Sequence, residues 1–340
     1  MIKKLKWPKV STVTPTLNSE RTLRQCLASI GGQNYPEDIE IIIADGGSSD
    51  GTIKIAEDFK AKIVQNKLRT GEAGKAVGVK SSDGEIIAFI DSDNILPTKD
   101  WLKSLIKPFL VDGDIVATEP LLFSYRKSDY WLTRYFALLG MGDPMSLFIG
   151  NYDRYSYLTN NWTDLPIQME VHKNYLTLLI REKIPTIGAN GFLIRKSELI
   201  KYPVRDYLFD MDVLKLLASK NTIKIAKVKT GIVHLFSGNI STFVRKQRRR
   251  ARDYFYFKKV GYRVQDNNNL ELAVGVVKFV LATILVFPLL IQVVVGCLRK
   301  NDAAWFFHPI ACWITLMAYT WETLRFIFVK EEFSRINWKQ

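Results

Sequence analysis

The chain has 340 residues, with 48 Lys and Arg against 34 Asp and Glu, for a formal charge of +14. That length accommodates about two domains, and a content of 47% hydrophobic and 12% aromatic residues is enough for a large core, which excludes global disorder. The three cysteines (Cys26, Cys297, Cys312) and three histidines (His172, His234, His308) are scattered, so neither a disulfide framework nor zinc-finger chemistry can be built, and carboxylates are left as the ligands of any metal.

The first 240 residues alternate between apolar runs of strand length and helical stretches. A β-rich run over 10–14 leads into a Pro15 turn and a helix over 19–30. A continuous apolar strand over 39–44 ends in Asp45-Gly46-Gly47-Ser48-Ser49-Asp50-Gly51-Thr52 and is followed by a helix over about 52–60. The pattern repeats as strand 61–65, helix 71–81 and strand 85–90. Apolar strands separated by helices predict a parallel sheet covered on both faces, with ligands bound beyond the carboxyl ends of the strands. Three polar groups stand at those ends: Pro15-Thr16-Leu17-Asn18, Asp45, and Asp91-Ser92-Asp93. Two carboxylates at i and i+2 on a strand exit can hold a hard divalent cation and leave positions open for phosphate. The Gly46–Gly51 turn is neither a Walker loop nor a GxGxxG fingerprint.

In this order and spacing, 13–18 (VTPTLN), 45–52 (DGGSSDGT) and 88–94 (AFIDSDN, with its DxD motif) resemble the nucleotide-sugar half of the family 2 glycosyltransferases of the GT-A fold. The resemblance continues through Gly188-Ala-Asn-Gly-Phe-Leu-Ile-Arg195, similar to the acceptor-side strand of that family, and Phe209-Asp-Met-Asp-Val213, similar to its Glu-Asp-x-Asp-Leu helix start. It implies that Asp45 hydrogen-bonds the nucleobase, that Thr16 and Glu20 line the nucleotide pocket, and that Asp91 and Asp93 hold Mn²⁺ or Mg²⁺ on the diphosphate. Pro15, Asn18, Gly47, Lys75 and Ser92 complete the implied donor site, and Asn190 falls to the acceptor. The family points to Asp210 as the base, with Asp212 as the alternative; at 3.6 residues per turn the two diverge by about 200°, so only one can face the site. Gly46 and Phe209 depart from the family pattern, which often has Asp and usually has Glu there. By the same resemblance His234 would complete the metal or diphosphate site, a plain buried histidine being the alternative.

The segment 118–186 is rich in aromatics, for which core packing is the default reading, with an acceptor cover or a membrane contact as alternatives. Gln247-Arg248-Arg249-Arg250-Ala251 partly resembles the Gln-x-x-Arg-Trp signature of processive polysaccharide synthases but has Ala251 in place of the tryptophan. Those arginines are read as phosphate contacts for a membrane-bound acceptor. Between Arg245 and Arg263, nine Lys and Arg face one acid, Asp253, with aromatics interleaved, a composition suited to a helix in the headgroup layer rather than to nucleic acid.

No formal charge occurs from Phe279 to Leu298, and none from Ala303 to Trp321 while His308 is neutral. About twenty apolar residues span a bilayer's ~30 Å hydrocarbon layer, so two transmembrane helices joined by the polar turn 299–302 are expected, the first kinked at Pro288. Positive charge beside them places the bulk of the chain in the cytoplasm.

The expected architecture is therefore α/β: a GT-A Rossmann-like, mainly parallel sheet over 1–240 with a variable insertion at 118–186, an interfacial amphipathic segment over 241–270, a transmembrane hairpin over 271–329 and a cytosolic tail over 330–340. The expected function is an integral-membrane inverting hexosyltransferase, metal-dependent, with its catalytic domain in the cytoplasm. Its donor would be a UDP- or GDP-sugar, and its acceptor polyprenyl phosphate or a polyprenyl-diphosphate-linked sugar, beside anionic lipid headgroups. The alternatives are a capsule or exopolysaccharide glycosyltransferase acting on a glycan, and an inactive membrane scaffold.

Overall fold

The computed structural model describes residues 6–181, 183–188, 190–202, 204–236, 239–259 and 269–328, with backbone only at 257–259 and 269. The expected tail 330–340, Arg263 and the side chains of Lys258 and Lys259 lie outside the described residues.

In chain order the elements are β1 (Val10–Thr16), α1 (Glu20–Gly31), β2 (Ile39–Asp45), α2 (Thr52–Asp58), β3 (Lys62–Gln65), α3 (Gly71–Lys80), β4 (Ile86–Phe89), β5 (Asn94–Ile95), α4 (Trp101–Val111) and β6 (Ile115–Phe123). There follow α5 (Trp131–Leu139), α6 (Met145–Ile149), β7 (Gln168–Val171), β8 (Tyr175–Ile180), β9 (Phe192–Arg195), α7 (Lys196–Leu199), α8 (Asp210–Lys220) and β10 (Ile223–His234). The chain then continues as α9 (Ile240–Lys259), α10 (Asn269–Leu285), α11 (Phe287–Arg299), a 3₁₀ turn (Ala303–Phe307) and α12 (His308–Phe328).

These elements form two compact units. The first comprises residues 1–124 and 166–235, the second 125–165 and 236–340. The insertion expected at 118–186 is thus divided: β6 runs on to Phe123, 125–165 belong to the helical unit, and β7 and β8 join the sheet.

In the first unit the strands run in the order β3-β2-β1-β4-β9-β6-β10-β8-β7, with β5 paired to β10. The half formed by β3, β2, β1 and β4 is parallel, while β9 enters antiparallel between β4 and β6, so the sheet is mixed. Strands buried on both faces read as unbroken apolar runs, and Val10, Val13, Ile42, Ile43, Ile87 and Leu193 are fully buried here. Register sets Thr16 beside Asp45, and Val13 beside Phe89, so the three polar segments leave the sheet side by side.

The second unit is helical. Its core holds Tyr135, Phe136, Leu138, Phe236, Phe243, Trp305 and Phe307, which resolves the aromatic-rich insertion as core packing. His308 on α12 bonds the Tyr135 hydroxyl at 2.8 Å and the Gln292 side chain at 2.8 Å.

The C-terminal apolar stretches differ from the expected pair of straight helices. Among the described residues no single helix is long and apolar enough to cross a membrane. The first stretch breaks at Val286, whose φ is +61°, with Pro288 two residues later, and the axes of α10 and α11 diverge by 93°. Proline cannot donate a helical hydrogen bond and crowds the preceding turn, but the bend far exceeds an ordinary proline kink because the residue at the break has left the helical region altogether. In α12, Glu322 is fully buried and accepts hydrogen bonds from Arg248 and Arg252 of α9, the latter at 2.7 and 2.9 Å. Tyr319 of the same helix donates to Asp143. The end of α12 is therefore fastened through charges to its neighbours, which is why it does not read as a uniformly apolar rod.

Candidate active site

The ends of β1 and β2 are laced into one platform. Asp45 accepts four hydrogen bonds: from the Thr16 hydroxyl at 3.0 Å, from the Gly47 and Ser48 amides at 2.8 Å each, and from the Ser48 hydroxyl at 2.5 Å. A carboxylate has about four acceptor positions, and these four bonds let Asp45 shape the 46–48 turn. Gly47 makes that turn possible with φ +89°. Asn18, itself at φ +50°, donates its amide to Ser48 Oγ and accepts from the Ser49 amide, each at 2.8 Å. Glu20 accepts the Gly51 amide at 2.6 Å. Asn18 and Glu20 thus sit where the sequence placed them, but their side chains bind the neighbouring loop. Pro15 packs against Gly74 of α3, where a Cβ would come within 2.7 Å of the Pro15 Cβ.

The β4 exit carries Asp91, Ser92 and Asp93, all half-buried. Ser92 Oγ lies 3.1 Å from Ser19 Oγ. β5 pairs antiparallel with the end of β10, placing Asn94 opposite His234, and that register brings His234 Nε2 to 3.4 Å from the Asp93 carboxylate. Asn94 accepts the Asp91 amide at 3.0 Å and donates to Asn190 Oδ1 at 2.8 Å. Asn190, which falls at φ +39°, is therefore tied to the same cluster.

Asp210 reaches this cluster from α8. It occupies the first helical position, with Phe209 before it as N-cap, and its carboxylate forms an ion pair with Lys75 of α3, both side chains being buried. Gly188 lies against it: a Cβ there would meet the Asp210 Cβ at 2.5 Å, and its φ of +133° suits glycine alone. Asp212 is fully buried two residues on, and its charge raises the Tyr202 phenol, which burial already pushes up. Asp210 thus acts on the charge of Asp91, and Asp212 on the Tyr202 phenol.

The charges at this point are strongly coupled. Burial pushes the Asp91 carboxyl above the ordinary range; Asp93 and Asp210 add to this, against the opposing pull of Lys75 and His234. Burial opposes the Lys75 ammonium, yet Asp210, Asp91 and Glu72 outweigh it and hold its pKa above the usual value. Asp91 and Asp93 at the β4 exit, with His234 beside Asp93, offer oxygen and nitrogen donors of the kind a divalent cation takes. Among the described residues no three or more His, Cys, Asp or Glu side chains are already gathered around one metal position. That suits a cation bound by one or two carboxylates and completed by substrate phosphate and water.

Beneath Gly188 lies a pair that sequence reasoning missed. Lys227 of β10 and Glu119 of β6 form an ion pair at 2.7 Å with both side chains fully buried, and Glu119 also accepts the Gly188 amide at 3.2 Å. The one signal was a lysine at a core position of the alternating run Ile223–Val228.

The residues assigned from the 247–250 motif are used within the helical unit. Gln247 is fully buried and donates to the Gly142 carbonyl at 3.1 Å; Arg250 donates to the same carbonyl, and Arg248 pairs with Glu322. Gln247 and Arg250 thus tie α9 to Gly142, and Arg248 ties it to α12. Arg249 is exposed.

Residues 11–197 match the family described as glycosyl transferase family 2. The chain belongs to that family. Its GT-A fold is shared with the mannosyltransferase PcManGT from Pyrobaculum calidifontis, solved in complex with GDP-Man and Mn²⁺: TM-score 0.53 at 15% identity, over 96% of this chain and 89% of that one. Among curated family 2 relatives, glycosyltransferase AglE from Haloferax volcanii is 29% identical over 33% of this chain and 41% of its own length. Poly(ribitol-phosphate) beta-N-acetylglucosaminyltransferase TarS from Staphylococcus aureus is 30% identical over 41% of this chain and 23% of its own. The chain thus spans less than half the length of these two relatives.

Proposed function

We propose that the chain is a metal-dependent, inverting glycosyltransferase that takes a UDP- or GDP-sugar as donor and a lipid-linked acceptor, polyprenyl phosphate or a polyprenyl-diphosphate-linked sugar. The observation that carries this reading is the meeting of Asp91, Asp93 and Asp210 at the carboxyl ends of β4 and neighbouring strands, with Lys75 between Asp91 and Asp210.

Glycosyl transfer with inversion needs the charge on the departing diphosphate neutralised on one side of the anomeric carbon and the acceptor oxygen on the other side either deprotonated, where it is a sugar hydroxyl, or only oriented, where it is an already anionic phosphate oxygen. Asp91 and Asp93 would hold Mn²⁺ or Mg²⁺, with His234 beside Asp93 as a further donor to the metal or the diphosphate; the ion, when bound, stabilises the leaving group's negative charge. Asp210 is the base. Lys75 pairs with its carboxylate and fixes it in direction, so we read Lys75 as a positioning residue as well as a donor-site one. Glu119 and Lys227 fix the Gly188 amide, and through it the backbone against which Asp210 packs.

Support for a lipid-linked acceptor comes from the helical unit. Large apolar side chains from Leu270 to Leu298 are exposed in an unusually long run, and Arg245 and Arg249 are exposed on α9. Apolar exposure of this extent marks a surface that meets another phase or partner, and cations beside it favour anionic headgroups. Attachment to a bilayer would hold the site near the headgroup of its acceptor and raise that acceptor's effective concentration.

The test is transfer of radiolabelled sugar from UDP- and GDP-sugars, with and without Mn²⁺, to polyprenyl phosphate in vesicles and to a soluble ribitol-phosphate polymer. Metal-dependent labelling of the lipid fraction is the expected result. Labelling of the polymer alone would replace the lipid acceptor with a glycan one, and no transfer from any donor would favour the inactive scaffold.

A further inference from the structure

We propose that α10 and α11 form a re-entrant wedge that enters a single leaflet and returns to the side from which it came; the proposal rests on the reading above that the helical unit attaches to a bilayer.

Three observations support it. The first is shape. The axes of α10 and α11 diverge by 93° at Val286, so if the two arms share the insertion evenly, each inclines by roughly 45° to the membrane normal. At 1.5 Å per residue, the 17 residues of α10 and 13 of α11 then reach depths of about 18 and 14 Å. A leaflet's share of the ~30 Å hydrocarbon layer is about 15 Å. The wedge is deep enough for one leaflet and too shallow for two.

The second is where the apolar side chains lie. The apex exposes Ile284, Leu285 and Phe287, between 57% and 68%, and the exposed apolar surface runs along both arms through Val277, Leu281, Leu290, Ile291 and Val294 to Leu270 and Leu298. Polar residues mark the two open ends, Glu271 at the start of α10 and Arg299 to Asp302 after α11. Lys278, exposed midway along α10, has a stem long enough to carry its ammonium toward the headgroups.

The third is α12. A spanning hairpin needs the polar turn 299–302 on the far side and α12 as the returning span. Instead the Arg248–Glu322–Arg252 triad and the Tyr319–Asp143 bond fasten α12 to polar neighbours in the same unit. Asp302 is likewise held by Arg134 at 3.0 Å and by the Tyr125 hydroxyl at 2.5 Å. Those attachments tie the turn after α11 to the α5 region, leaving no free span to deliver it across a bilayer.

The experiment uses the full chain carrying single added cysteines, Leu270→Cys, Phe287→Cys or Asn301→Cys, with the native cysteines replaced by alanine. In intact producing cells, an impermeant maleimide should label none of the three; after permeabilisation it should label 270 and 301 but not 287. In vesicles of equal phosphatidylcholine and phosphatidylglycerol, a fluorophore at 287 should be quenched by acyl-chain bromines and not by iodide. Labelling of 301 in intact cells while 270 stays protected would overturn the wedge and leave membrane attachment standing. Equal labelling of 287 with and without vesicles would overturn both. Ile284→Arg, which keeps every native cysteine, gives an independent reading: vesicle binding should fall at least about tenfold, and unchanged binding would reject insertion of the apex.

Discussion

Each unit contains a buried carboxylate paired with cations from another helix, and the two pairs differ in what surrounds them. In the sheet unit, the Asp210–Lys75 pair lies next to Asp91, Asp93 and His234, where several strands end together. In the helical unit, the fully buried Glu322 is paired with Arg248 and Arg252. The first pair adjoins further carboxylates, a surplus of negative charge that a bound cation could relieve; the second is one carboxylate held between two arginines. An ion pair with surplus carboxylates beside it is therefore a candidate for cation-dependent chemistry, and one whose carboxylate is saturated by its own cations is a fastening.

Substitutions break this comparison in order of expected effect. Asp210→Asn removes the proposed base, a change that typically costs about 10²–10⁴ in rate, so kcat should fall by at least about a hundredfold with nucleotide affinity nearly unchanged. Steady-state kinetics together with nucleotide titration check it, and normal turnover with lowered stability would make Asp210 structural.

Next in size, Lys227→Met leaves Glu119 charged and buried, which should destabilise the sheet unit by about 3–5 kcal/mol, read by denaturant unfolding. Combining it with Glu119→Leu should recover most of that loss while leaving the Gly188 amide without its acceptor, so stability and turnover should part company.

Glu322→Gln leaves two arginines facing a neutral group. A loss of about 1–3 kcal/mol in stability is expected, with the kcat of the remaining folded protein little changed, the reverse of Asp210→Asn. The smallest effect is expected of the exposed Arg249: Arg249→Gln should leave stability within about 0.5 kcal/mol and weaken binding to phosphatidylglycerol vesicles by about 1 kcal/mol, or some fivefold.

The sequence is legible where local pattern and global fold agree. Apolar runs closed by polar exits gave β1, β2 and β4, and put Thr16, Asp45, Asp91 and Asp93 at neighbouring strand ends, because parallel strands with helical crossovers present their carboxyl ends on one edge. By helical geometry, the i, i+2 spacing sets Asp210 and Asp212 on different sides of α8. What escaped depends on contacts remote in sequence: Glu119 meeting Lys227, Asn94 reaching Asn190 and Arg248 reaching Glu322. Pro288 signalled a kink, but the 93° bend comes from Val286 in the left-handed region, which a β-branched residue gives no reason to expect. Asp45 shows a subtler gap, since its position was legible while the four donors closing around it were not.

The central claim, that the β4 exit binds a nucleoside diphosphate through a divalent cation, is tested most directly by calorimetric titration of UDP and of GDP into the wild-type chain and Asp93→Asn. With Mn²⁺ present, the wild type should bind one of the two nucleotides, and both chelation of the metal and Asp93→Asn should abolish or severely weaken that binding. Binding of equal strength in chelator, or in the Asp93→Asn chain with Mn²⁺, would contradict the claim.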